Sequence, residues 1–212
     1  VAFDAATDAV EMDVSKLSAG VTTVQVDLKD NDDGGSTTDS LIKNLGSQTV
    51  VVKHSVADAT DGGVDDGAKL TITAASDTSA DTINVTFDAI GTGTNLGLMG
   101  LDVGNYETVN ISNKKSSSVT GGEVTTLTTS SATSVAITGD ANLTLSSVVG
   151  GAMTSFDASA LVGTLAATFS SADKITAKAA TKNTTFAFGT SLDNNDTVVG
   201  GAGTADVVTA TV

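Results

Sequence analysis

Carboxylates and amides are the side chains through which this chain could do chemistry, and they come in clusters. Asp30-Asn31-Asp32-Asp33-Gly34-Gly35 is the densest, Asp58, Asp61, Asp65 and Asp66 follow, and Asp193-Asn194-Asn195-Asp196 with Asp206 lie near the other end. Four carboxylates within nine residues repel one another unless a cation stands between them, and calcium takes six to eight such oxygens. Asp30, Asp32, Asp33, Asp61, Asp65, Asp193, Asp196 and Asp206 are therefore the candidate metal ligands, with calcium as the expected ion. A solvated acidic loop is the other reading of each run. Asp27 to Gly34 does not match the helix-flanked twelve-residue calcium loop, since no glutamate closes it.

Other chemistry is hard to build. There is no cysteine, and His54 is the single histidine, so disulfides, thiolate sites and multi-imidazole zinc sites are excluded. His54 stands in phase with Val50, Val52 and Val56, which suits a half-buried strand position. No Gly-x-Ser-x-Gly elbow occurs. Paired glycosidase carboxylates would need an aromatic-lined cleft, and one tyrosine and no tryptophan argue against it. Gly200-Gly201-Ala202-Gly203 lacks the lysine of a phosphate loop and reads as a turn. No enzymatic activity is expected.

Charge narrows the partners. The 212 residues carry 25 acids against 10 bases, a net charge of −15, and all the bases are lysine. Such a chain repels polyanions and has no guanidinium forks for phosphate, so nucleic acid is not an expected partner. No apolar run is long enough to span a membrane as a helix. The chain begins at Val1 without an initiator methionine, which points to a processed chain or a piece of a longer one.

The elements that must position these groups are strands. Thr82-Ile83-Asn84-Val85-Thr86-Phe87-Asp88 alternates apolar and polar residues, and so do Val24, Val26 and Leu28; Leu70, Ile72 and Ala74; Val109 and Ile111; Val135 and Ile137; Leu143 and Leu145; Leu165, Ala167 and Phe169; Ile175, Ala177 and Ala179; Phe186 and Phe188; and Val208, Ala210 and Val212. Clusters such as Asp61-Gly62-Gly63, Gly91-Thr92-Gly93, Gly121-Gly122, Gly150-Gly151 and Gly200-Gly201 separate them, as if supplying the positive backbone angles of tight turns. Short helices are expected only at Ser15–Ala19 and Asp39–Leu45. Many inward positions hold Ala or Val, too small for a sandwich core about 10 Å thick but enough for a narrow coil. The expectation is an all-β protein, a parallel β-solenoid over 70–212 with a more irregular β-rich portion over 1–69, forming a rod on the order of 50 Å from rungs of roughly 20 residues.

Internal similarity supports a repeat. Ser79-Ala80-Asp81-Thr82-Ile83, Ser171-Ala172-Asp173-Lys174-Ile175 and Thr204-Ala205-Asp206-Val207-Val208 share one pattern of hydroxyl, Ala, Asp, any residue and a β-branched apolar residue. Asp196 to Val208 resembles the glycine-rich, aspartate-bearing nonapeptide of calcium-binding parallel β-rolls, with Asp206 one position late. Tyr106-Glu107-Thr108-Val109-Asn110-Ile111, Phe156-Asp157-Ala158-Ser159-Ala160-Leu161 and Ala80-Asp81-Thr82-Ile83-Asn84-Val85 are similar to the phrasing of bacterial surface-layer proteins and large secreted adhesins. That resemblance implies export to the cell surface, order that depends on calcium, and self-assembly of identical chains into a lattice or filament, with cell-surface polysaccharide as a further partner. A secreted adhesin module and a phage fibre or coat component are the alternatives.

Overall fold

The computed structural model describes residues 2–5, 11–28, 39–54, 69–88, 98–115, 121–171 and 174–211. Among the described residues eighteen short strands alternate between two sheets, each of nine strands. The first sheet holds β1 (Ala2–Ala5), β3 (Thr23–Leu28), β5 (Thr49–His54), β7 (Thr82–Asp88), β9 (Thr108–Lys114), β11 (Ser134–Gly139), β13 (Ser155–Leu161), β15 (Thr176–Lys178) and β17 (Thr197–Val199). The second holds β2 (Glu11–Asp13), β4 (Ser40–Leu45), β6 (Lys69–Ala74), β8 (Leu98–Asp102), β10 (Gly121–Thr128), β12 (Asn142–Val149), β14 (Leu165–Ser171), β16 (Thr184–Ala187) and β18 (Val207–Thr209). Every pairing is parallel and joins a strand to the one two places on, so each odd–even pair is one coil of a parallel β-solenoid. The sheets run unbroken across residue 69, where β4 pairs with β6 and β5 with β7.

The alternating pattern makes the core by stacking like on like. Ile83, Val109, Val135, Phe156 and Ala177 form one buried inward column, and Val124, Leu145, Ala167 and Phe186 form another on the facing sheet. Each fully buried valine or leucine contributes about 1.5–3 kcal/mol against exposure. In the last coils four phenylalanines thicken this core: Phe156 meets Phe169 edge-on at 5.2 Å, and Phe169 stacks on Phe188 at 4.8 Å.

Coil length divides the molecule. Ser134, Ser155, Thr176 and Thr197 stack with a constant step of 21 residues, whereas Thr49 stacks on Thr23 after 26 and Asn84 on Thr49 after 35. The surplus in the early coils lies between the strands, so nine coils give about 40 Å of stack instead of 50.

Three local expectations change. Ser40–Leu45 is a strand and not a helix, because its neighbours β2 and β6 pair with it; Asn44 at φ 59° forms an irregularity that turns Leu45 inward beside Ile42. Near Ser15 there is only one 3-10 turn, Val14–Lys16, with Asp13 as its cap. The glycine clusters also serve differently: among described glycines only Gly139 and Gly189 have positive φ, and Gly121 and Gly122 lie inside β10. Gly201 is needed for close approach, since a Cβ there would stand 1.8 Å from the Ala180 carbonyl oxygen.

Candidate functional site

The acids near the C-terminal end hold coils together. Asp196 accepts the Ile175 N–H of the preceding coil at 2.8 Å through one oxygen and the Asp193 N–H at 2.8 Å through the other. Asp206 accepts Thr184 N–H at 2.9 Å and Gly201 N–H at 2.8 Å. Asp193 accepts both the backbone N–H and the side-chain amide of Asn195. All the carboxylate oxygens of these three candidate ligands therefore face the chain's own donors, a use of Asp common where a turn must satisfy its backbone. Asn142 and Asn183 act alike, accepting the backbone N–H groups of Thr164 and Thr204.

Asp30, Asp32, Asp33, Asp61 and Asp65 lie outside the described residues. The strands that flank them are placed, however. Leu28 pairs with His54 and Ser40 with Leu70, so the two acidic stretches leave one sheet and enter the other at neighbouring positions of adjacent coils. Among the described residues no three of His, Asp and Glu come together in a way that could hold a metal.

Of the three similar pentads, two lie among the described residues, and the aspartate of each accepts a backbone N–H of its own turn. Asp81 accepts the Thr78 N–H at 2.6 Å and its hydroxyl at 2.7 Å, and these bonds, the backbone one foremost, pull its carboxyl below the ordinary range. Its own N–H donates to Glu107 of the next coil at 2.8 Å. Glu107 was not singled out by sequence, and nothing marks it there except its place just before a strand.

Outward from the first sheet stands a row of charge. Asp27, Lys53, Asp88 and Lys114 occupy one register position through four coils, and Lys53 bridges to Asp88 at 3.5 Å. Further along, Lys178 reaches Asp157 at 2.7 Å. Burial works to raise the Asp157 carboxyl, but the bonds from Lys178 and from the Ser159 hydroxyl and N–H outweigh it and hold it at about 2. On the second sheet Lys43 bonds Glu11, which raises the lysine. Asp13 is held at about 2, first by the Asn44 amide at 2.8 Å and then by the Ser15 hydroxyl.

Hydroxyls form a second row on the first sheet: Thr82, Thr108, Ser134, Ser155, Thr176 and Thr197 stack in register. Two buried polar groups differ in how they are satisfied. Asn113 is inward, in phase with Ile111, and donates to the Asn142 carbonyl at 2.7 Å. Tyr106 is 1% exposed with no hydrogen-bond partner for its hydroxyl, and burial, then Asp81, raise its phenol. The last coil is open: Val199, Val207 and Val208 are exposed at 43–46%, although Val208 continues the inward column above Phe186.

No helix among the described residues is long and apolar enough to cross a membrane. Comparison with family models, with curated proteins and with solved structures found no match to the chain.

Proposed function

We propose that this chain is a structural protein of the cell exterior, a subunit or domain of a bacterial surface layer or filament that calcium stabilises. The observation behind the reading is the continuous strand stacking of nine coils among the described residues, whose outward strand positions repeat hydroxyl and amide side chains in register from rung to rung. A surface that repeats every 4.8 Å or so suits contact with another repeating surface, whether a second copy or a polysaccharide chain. The resemblance to surface-layer proteins and β-roll adhesins points the same way.

Calcium enters through the early coils. Asp30, Asp32 and Asp33 lie in one connection and Asp58, Asp61, Asp65 and Asp66 in the next, and these two connections begin at paired residues and end at paired residues. Carboxylates so close along the sequence repel one another, and a divalent cation relieves that repulsion. Asp193, Asp196 and Asp206, engaged by backbone donors, make a weaker case as ligands.

The test is sedimentation and electron microscopy with and without calcium at about 1 mM, typical of extracellular modules. Ordered assemblies or a rise in melting temperature with calcium, reversed by chelator, are expected. A compact monomer of equal stability in both conditions would remove the reading and leave a monomeric adhesin module.

A further inference from the structure

We draw no further inference here: the strongest candidate, the open end of the last coil, where Val199, Val207 and Val208 stand exposed, is an unpartnered apolar face, and nothing in the structure shows what covers it.

Discussion

Replacing Gly139 by alanine tests whether coil stacking depends on close backbone approach. Gly139 sits at the end of β11 with φ 113°, and a Cβ there would lie 1.9 Å from the Asn113 carbonyl oxygen of the coil below. An ordinary contact needs about 3.5 Å, so one coil must move by more than an ångström. That carbonyl accepts the N–H groups of Asp140 at 3.0 Å and Ala141 at 3.2 Å, and displacing it weakens both bonds, each worth about 1 kcal/mol. The positive φ adds about 1–3 kcal/mol for any residue with a Cβ. The sum is roughly 3–5 kcal/mol, a fall in melting temperature of about 6–20 °C for a chain of this length. Gly151→Ala is the control, since nothing lies within 4 Å of its Cβ and its φ is not positive. Thermal denaturation followed by circular dichroism compares the two. Equal melting temperatures would refute the stacking geometry at this corner.

Two further outcomes follow from the packing. Phe169→Ala removes the ring between Phe156, Phe186 and Phe188 and should cost about 3–5 kcal/mol in denaturant titration; a loss under about 1 kcal/mol would show that the last coils are not packed as described. Asp157, held at about 2 against an ordinary 3.8, stabilises the folded chain above about pH 4, and that contribution is lost as pH falls from about 4 to 2. With Asp157 31% and Lys178 45% exposed, solvent screening reduces it to about 1 kcal/mol, so Asp157→Asn should be less stable than wild type by that amount at neutral pH and equal to it near pH 2. A gap that does not close in acid would contradict the bridge.

Strands, the inward sets and the parallel solenoid were legible in the sequence because period two depends only on neighbours along the chain. Ile83, Val85 and Phe87 are buried together in any sheet that buries one of them. Small inward residues likewise announced a narrow core. What lies above what is a different kind of fact. Lys53 sits over Asp27 after 26 residues and Asp88 over Lys53 after 35, and no fixed period reveals a row whose spacing changes with each connection. Context also decided Ser40–Leu45, whose spacing allowed a helix until strands on both sides claimed its backbone. Asp196 and Asp206 look the same in sequence whether they bind a cation or a backbone N–H, and only the position of Ile175 and Thr184 in the preceding coil separates the two. The sequence by itself determined which residues face inward; the tertiary structure alone decided which outward residues become neighbours, because that depends on coil register, a relation between residues tens of positions apart.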